Sequence, residues 1–169
     1  MSTHGESDLY EVEFKLEVDH EEIRSKLQAF GAEHETTVRQ VDTYYESPYD
    51  SDRTDTQALR IRQQSGVEAE SQKDSQEESL IVYKDPVRED DVIDGEELEA
   101  TVMDAESVAT IFQRFGFSEL AVVEKEREIH TLGDYTIALD RVDGLGEFIE
   151  VDCKSEDVES VRQGAVGIL

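Results

Sequence analysis

Charged side chains recur at a spacing of two in five short segments of this 169-residue sequence. The five sets are Glu11, Glu13 and Lys15; Arg60 and Arg62; Glu97 and Glu99; Lys125 and Arg127; and Glu150 and Asp152. In a β-strand, residues i and i+2 project from the same face, so each set predicts a strand with one charged face. Exposure to solvent explains any single set, but the five together favour a shared charged surface.

Cations are scarce in this chain, which has 16 Lys and Arg against 43 Asp and Glu and a net charge of −27. Several of them nevertheless lie in predicted strands: Arg39, Arg60, Arg62, Lys84, Lys125 and Arg127. Cations gathered on one concave face repel one another unless an anion lies between them, and carboxylates on the same face need a cation. A polyphosphate with divalent metal ions satisfies both requirements.

The types of side chain support this interpretation. Arginine guanidinium groups match phosphate oxygens in pairs. Closely spaced carboxylates without Cys or His suit Mg²⁺ or Mn²⁺ better than zinc. Phosphoryl and nucleotidyl transfer depend on charge neutralisation and alignment more than on a reactive side chain. The pattern therefore indicates a metal-dependent site for a polyphosphate.

The elements that must position these residues are short. The alternation over 9–18 predicts a strand, and Asp19 with Glu22 predicts the start of a helix that Gly31 ends. Asp104 and Gly116 repeat this interval in the second half, which indicates two related β-α-β halves in one sheet. Further strands are predicted over 35–46, 58–64, 79–85, 95–102, 120–130, 135–142 and 147–154, with a final helix after Ser155. Eight strands are enough to close a barrel.

Composition excludes several other classes of protein. The acidic balance disfavours nucleic acid and anionic membrane surfaces, and the chain contains no apolar stretch long enough to span a bilayer. We therefore expect a cytoplasmic protein, adapted to high salt because its acid is spread along the chain. Cys153 is expected to be an inert thiol, and the four histidines are expected to be solvated. For Tyr44 and Tyr45, packing is favoured over contact with substrate.

The order of these segments resembles the CYTH superfamily, the triphosphate tunnel metalloenzymes. The matching segments are EVEFK, QVDTYYESP, TDTQALRIR, LIVYKDP, VVEKER and ALDRVDGLGEFIEVD, within roughly residues 9 to 153. The ExExK motif is Glu11, Glu13 and Lys15, and the segments are most similar to class IV adenylate cyclases of the CyaB type. One departure is Asp152, where the family usually has Glu.

The resemblance implies an α+β fold, an eight-stranded antiparallel closed β-barrel with flanking short helices, in one domain over 9–169. Residues 1–8 are polar and are expected to be a disordered tail. It implies catalytic roles for Lys15, Asp140 and Glu99, with Glu97 as an alternative to Glu99. It implies that Mg²⁺ or Mn²⁺ binds Glu11, Glu13, Glu150 and Asp152. The implied triphosphate ligands are Arg60, Arg62, Lys84, Lys125 and Arg127, to which we add Arg39.

Three functions stay open at this point. A class IV adenylate cyclase would convert ATP to cyclic AMP and pyrophosphate, and this is the function favoured by the resemblance. An organic or inorganic triphosphatase, such as a thiamine triphosphatase-like enzyme or a tripolyphosphatase, would use the same cations to hydrolyse the terminal phosphate. A non-catalytic polyphosphate-binding module would hold the triphosphate without turnover. A homodimer is a further expectation from the family.

Overall fold

The computed structural model describes residues 10–48, 57–67, 77–89, 92–155 and 167. The predicted tail at 1–8, most of the acidic stretch before β4 and the predicted final helix lie outside these residues. The elements are β1 (Tyr10–Glu17), α1 (His20–Phe30), β2 (Glu33–Glu46), β3 (Ala58–Gly66), β4 (Glu78–Glu89), β5 (Val92–Val102), α2 (Ala105–Arg114), β6 (Ser118–Leu132), β7 (Tyr135–Val142) and β8 (Gly146–Ser155). In the described part of the chain, no helix is long and apolar enough to cross a membrane.

The eight strands form one antiparallel sheet in the order β1-β8-β7-β6-β2-β3-β4-β5. If each strand of β1–β4 is exchanged with its counterpart in β5–β8, the same order results, read from the opposite edge of the sheet. The topology therefore agrees with the predicted repeat of two halves. The halves meet along β2 and β6, and each half begins with a strand and a helix. Corresponding strands are therefore β2 with β6 and β3 with β7.

The predicted closed barrel is not confirmed, because no backbone ladder joins β1 to β5 among the described residues. The two edge strands approach each other in space, and Lys84 Nζ on β4 lies 2.8 Å from Glu13 Oε2 on β1. Both edges carry carboxylates, Glu13 on β1 and Glu97 on β5, and like charges on facing strands disfavour pairing. Side chains, rather than backbone hydrogen bonds, span this gap.

Helix α1 covers the outer face of β7 and β8. The Asp19 carboxylate accepts a hydrogen bond from the Glu22 backbone N–H, and Gly31 ends the helix at φ 78°. Ile23 and Leu27 are buried in a core cluster with Ile137, Leu139, Ile149 and Val151. The opposite face of β7 and β8, which carries Glu150 and Asp152, therefore forms part of the inner face of the curved sheet.

Helix α2 is capped in the same way by Asp104, but none of its residues is buried. Phe112 contacts Tyr45 with ring centroids 5.1 Å apart, while Ile111 and Phe115 are exposed. The sequence repeat therefore predicts both helices, whereas the extent of their packing differs between the halves.

Two histidines depart from the prediction of solvated side chains. His20 is buried, its ring Nε2 lies 3.0 Å from the Phe148 carbonyl oxygen, and its backbone N–H donates to Glu147. His130 is buried with its ring against His34. His20 contacts β8 and His130 contacts β2, and such contacts between distant segments are not visible in the order of residues.

Candidate active site

A cavity of about 550 Å³ lies on the inner face of the sheet, the face opposite α1. Its charged lining consists of six cations and six carboxylates. These are Lys15, Arg60, Arg62, Lys84, Lys125 and Arg127, with Glu13, Asp42, Glu97, Glu99, Glu150 and Asp152. The cavity thus has balanced charges although the chain has 43 acids and 16 cations. The spacing of two explains the convergence, because each set projects from the inner face of its strand.

Most of the predicted site residues are therefore together. The structure brings ten of them to the cavity: Glu13, Lys15, Arg60, Arg62, Lys84, Glu99, Lys125, Arg127, Glu150 and Asp152. Glu11 lies in β1 opposite Lys154, but its side chain is outside the part that the structure describes. Arg39 and Asp140 do not line the cavity.

Arg39, which was predicted as a phosphate ligand, does not line the cavity. Its side chain is 62% exposed, and its Nη2 donates to Glu124 Oε2 at 2.7 Å. In β2 the residues facing the cavity are Asp42 and Tyr44, so an odd-numbered neighbour such as Arg39 projects from the outer face. The strand was predicted correctly, but the face that points inward depends on the sheet around it.

Asp140 lies beneath the cavity rather than on its surface and is 0% exposed. Its carboxylate accepts hydrogen bonds from Arg127 Nε at 2.6 Å, Arg127 Nη2 at 2.7 Å and Lys125 Nζ at 2.9 Å. Burial raises the pKa of Asp140, but Arg127 and Lys125 outweigh burial and hold it well below its ordinary value. In this arrangement Asp140 orients two cations and does not contact the cavity itself.

Lys125 is a buried cation among other charges. Burial lowers its pKa most, Arg127 lowers it further and Asp140 opposes both, so that the pKa falls to about 8. Arg127 also donates to Glu150 Oε2 at 3.0 Å, and Lys15 Nζ lies 3.5 Å from the same oxygen. Each cation of this wall is thus held by a carboxylate.

Asp42 and Tyr44 also line the cavity. Asp42 was missed in the sequence, and for Tyr44 packing was favoured over contact with substrate. Asp42 accepts two hydrogen bonds from Arg62, from Nε and Nη2, both at 2.7 Å. Tyr44 accepts a hydrogen bond from Arg60 Nη1 at 3.0 Å. The signal was the alternation of polar residues in QVDTY, which places Asp42 and Tyr44 on one face. Tyr45, on the other face, is buried as the packing interpretation expected.

Glu13, Glu150 and Asp152 form the acidic group of the cavity. One carboxylate oxygen from each lies within 4.8 Å of the others, and the oxygens come from the adjacent strands β1 and β8. Three oxygen donors at this separation fit a hard divalent cation such as Mg²⁺ or Mn²⁺. Glu13 also pairs with Lys84, so Lys84 competes with a metal ion for this carboxylate.

An apolar wall at one end of the cavity was not predicted. It consists of Val123, Val142, Leu145 and Phe148, around the turn between β7 and β8. Leu145 is largely exposed, and its backbone N–H donates to the Val142 carbonyl within that turn. Apolar surface beside phosphate-type cations suits the organic part of a triphosphate ester. The residues come from different elements, and no local pattern connects them.

A sequence model of the CYTH domain family matches residues 9–169. The chain belongs to this family. CYTH relatives include a candidate adenylate cyclase of Methanocaldococcus jannaschii, 28% identical over 89% of this chain and 80% of its own length. The adenylate cyclase CyaB of Aeromonas hydrophila is 26% identical over 88% of this chain and 71% of its own length. CYTH proteins are metal-dependent, which agrees with the acidic group in the cavity.

Solved structures show the same fold. A protein of Pyrococcus horikoshii superimposes with a TM-score of 0.80 at 29% identity, covering 94% of this chain and 90% of that one. A candidate adenylyl cyclase of Hippeastrum, described as having a dominant triphosphatase activity, superimposes with a TM-score of 0.64 at 16% identity, covering 95% and 86% of the two chains. The fold is therefore that of CYTH proteins, and both activities are named among its structural and sequence neighbours.

Proposed function

We propose that this protein is a metal-dependent enzyme that acts on a triphosphate in the cavity, and that its reaction is that of a class IV adenylate cyclase. The observation that carries the proposal is the convergence of six cations, from both halves of the sheet, on a cavity that also holds the acidic group Glu13, Glu150 and Asp152. The names of the CYTH relatives and the apolar wall favour a nucleotide over inorganic polyphosphate.

The acidic group would hold the divalent cation, with Glu11 as a further predicted ligand. A metal ion bound there would lower the pKa of a hydroxyl and stabilise the leaving pyrophosphate. Assays with Mg²⁺ and with Mn²⁺ identify which of the two ions supports the reaction.

The cations hold the phosphates and neutralise their charge. Arg60 and Arg62 on β3 and Lys125 and Arg127 on β6 face the cavity from the two halves, so that a triphosphate chain between them contacts both walls. Lys15 is half-exposed and lies 3.5 Å from a Glu150 oxygen, which places its charge beside the acidic group. We assign it to the reacting phosphate.

In the proposed reaction the ribose 3′-oxygen forms a bond to the α-phosphorus as the bond from that phosphorus to the bridging oxygen breaks. Pyrophosphate leaves with the electron pair, and the hydroxyl proton passes to solvent or to a cavity carboxylate, for which Glu99 is our candidate. The apolar wall at Phe148 and Leu145 would contact the base and hold the ribose near the acidic group. Alignment and charge neutralisation are the main contributions of this chain.

Triphosphate hydrolysis is the second candidate. The same cations would grip the substrate, while water attacks the terminal phosphate instead of the 3′-hydroxyl attacking the α-phosphate. The Hippeastrum protein, a fold neighbour described as having dominant triphosphatase activity, favours keeping this alternative. A binding module without turnover is the third candidate.

The test incubates the purified protein in molar KCl with Mg²⁺ or Mn²⁺ and either ATP or tripolyphosphate. Cyclic AMP with pyrophosphate is the expected result. Orthophosphate from either substrate would instead establish the triphosphatase, and tight tripolyphosphate binding without turnover would establish the module. No binding and no turnover would refute all three.

Variants locate the reaction in the cavity. Lys15→Ala and Glu13→Ala are expected to lower kcat by about a hundredfold or more, because Lys15 neutralises charge on the reacting phosphate and Glu13 would hold the metal ion. Glu124→Gln is the matched control, since Glu124 lies on the outer face of β6, one position before Lys125. Equal losses in all three variants would show that the assay reports folding rather than the site.

Three further properties are proposed on the same basis. We propose that residues 9–169 act as one domain, that the protein works in the cytoplasm and that it forms a homodimer. Sedimentation equilibrium in molar KCl tests the last of these, and a mass of one chain, 19.2 kDa, would refute it.

A further inference from the structure

Two buried aspartates in the two halves of the sheet have matching surroundings. Asp140 is bonded to Arg127 through Nε and Nη2 and to Lys125. Asp42, 2% exposed, is bonded to Arg62 through Nε and Nη2, and Arg60 Nη1 lies 3.6 Å from its Oδ2. Each carboxylate thus binds one guanidinium through the same two nitrogens and lies beside a second cavity cation; Lys15 Nζ also lies 3.8 Å from Asp140 Oδ2.

The match follows the topological repeat. Asp42 and Arg62 are directly opposite each other in the β2–β3 pair, and Arg127 and Asp140 are directly opposite each other in the β6–β7 pair. Because β2 corresponds to β6 and β3 to β7, the two pairs occupy corresponding places with the acid and the base exchanged between strands. The cavity consequently has an anchored arginine on each wall.

We propose that Asp42 is a positioning residue of the triphosphate site, which fixes Arg62 and Arg60 as Asp140 fixes Arg127 and Lys125. This inference rests on the proposed function. Arg62 gives its Nε–H and one N–H of Nη2 to Asp42, so Asp42 leaves the second N–H of Nη2 and both of Nη1 for a phosphate oxygen. Holding a guanidinium by one edge fixes the direction of its remaining donors.

The neighbouring Arg60 also indicates a site built for a ligand. It donates to Tyr44, packs 5.8 Å from that ring and approaches Asp42, yet its buried Nε has no hydrogen-bond partner among the described residues. A buried donor without a partner costs free energy, which a phosphate oxygen in the cavity would recover.

The charge of Asp42 separates a positioning role from a purely structural one. Burial raises the pKa of Asp42, but Arg62 outweighs burial and keeps the carboxylate ionised. Asp42→Asn removes that charge at nearly constant shape while all six cavity cations remain. Attraction of phosphate should therefore persist, whereas the alignment of Arg62 and Arg60 should be lost.

The experiment compares the wild type, Asp42→Asn, Asp42→Glu and the control Glu124→Gln. Three quantities are measured in molar KCl: kcat with whichever triphosphate the wild type turns over, the Kd for tripolyphosphate by calorimetry and the thermal midpoint. We expect kcat to fall by about tenfold or more in both Asp42 variants, with Kd changed by less than about threefold. Glu124→Gln should match the wild type in all three.

A lower thermal midpoint with kcat within about twofold of the wild type would assign Asp42 to stability alone and overturn the inference. If Asp42→Asn does not fold, Asp42→Glu decides, because its longer side chain keeps the charge but displaces the guanidinium. Absence of turnover in the wild type would overturn the proposed function, and the inference with it. Wild-type turnover with an unaffected Asp42 variant would overturn the inference only.

Discussion

The cavity cations and carboxylates neutralise one another in the absence of substrate. Lys84 pairs with Glu13 and Glu97, Lys15 with Glu150, and Arg62 with Asp42. When a triphosphate binds, the cations would pair with its phosphates instead of with the carboxylates. The carboxylates released in this way would bind the divalent cation. Binding of the two should consequently be favourably coupled.

Lys84 allows this exchange to be tested. Lys84→Gln frees Glu13, 2.8 Å away, from its ion pair, so we expect Mn²⁺ alone to bind about fivefold more tightly. The same variant loses a phosphate contact, so tripolyphosphate without metal should bind about fivefold more weakly. Calorimetry measures both constants. Lys26→Gln, which breaks an exposed pair with Glu22 on α1, is the control, and shifts of the same sign in both titrations would contradict the prediction.

The pKa of Lys125 predicts the pH above which activity is lost. Its pKa of about 8 means that it is charged below that pH and neutral above it, so kcat/KM should fall as pH rises through 8. Lys125→Arg keeps its charge and should move this limb to higher pH. Stability changes in the opposite sense: between about pH 8 and the ordinary pKa of 10.5, the unfolded chain binds the extra proton, so the free energy of unfolding should rise with pH. An unchanged limb in Lys125→Arg would exclude Lys125 as its source.

The two capped helices occupy corresponding places in the repeat but differ in how much of each helix is buried. Leu27 of α1 is buried against β7 and β8, whereas Ile111 of α2 is 52% exposed. We expect Leu27→Ala to lower the free energy of unfolding by about 2–5 kcal/mol. Ile111→Ala, at the exposed face of α2, should cost about 1 kcal/mol or less.

Urea unfolding in molar KCl measures both helix variants. Alanine has a higher helix propensity than leucine or isoleucine, so a loss of stability in either variant reports lost burial rather than lost propensity. A loss of 2 kcal/mol or more in Ile111→Ala, on the order of the Leu27 effect, would show that α2 is covered in solution.

The stability of the whole protein depends more on how its charge is distributed than on any single ion pair. The six cations and six acids of the cavity cancel, so the net charge of −27 lies on the rest of the chain. Such self-repulsion destabilises a compact state unless salt screens it. At 1 M ionic strength the Debye length is about 3 Å, shorter than most separations between surface carboxylates.

Stability should therefore depend strongly on salt. We expect the thermal midpoint to fall by about 10 °C or more between molar KCl and dilute buffer, as repulsion is no longer screened. Sucrose in dilute buffer is the control, because it favours the compact state without screening charge. Equal midpoints in low and molar KCl would contradict adaptation to high salt.

The local pattern of residues was sufficient for the strands, the two helices and most of the site. Alternation over two residues is a property of the strand backbone, and the caps at Asp19 and Asp104 are contacts within four residues, so both are visible in sequence. The ten predicted residues that line the cavity followed from this periodicity and from the scarcity of cations.

The features that the sequence did not predict depend on contacts between distant segments. The inward face of β2 depends on its neighbours, which is why Arg39 was misplaced and Asp42 was missed. The burial of His20, the apolar wall and the gap between β1 and β5 likewise depend on segments that meet only after folding. Residue order encodes which side chains share a face, because that is local geometry; which face becomes the interior is set by long-range packing.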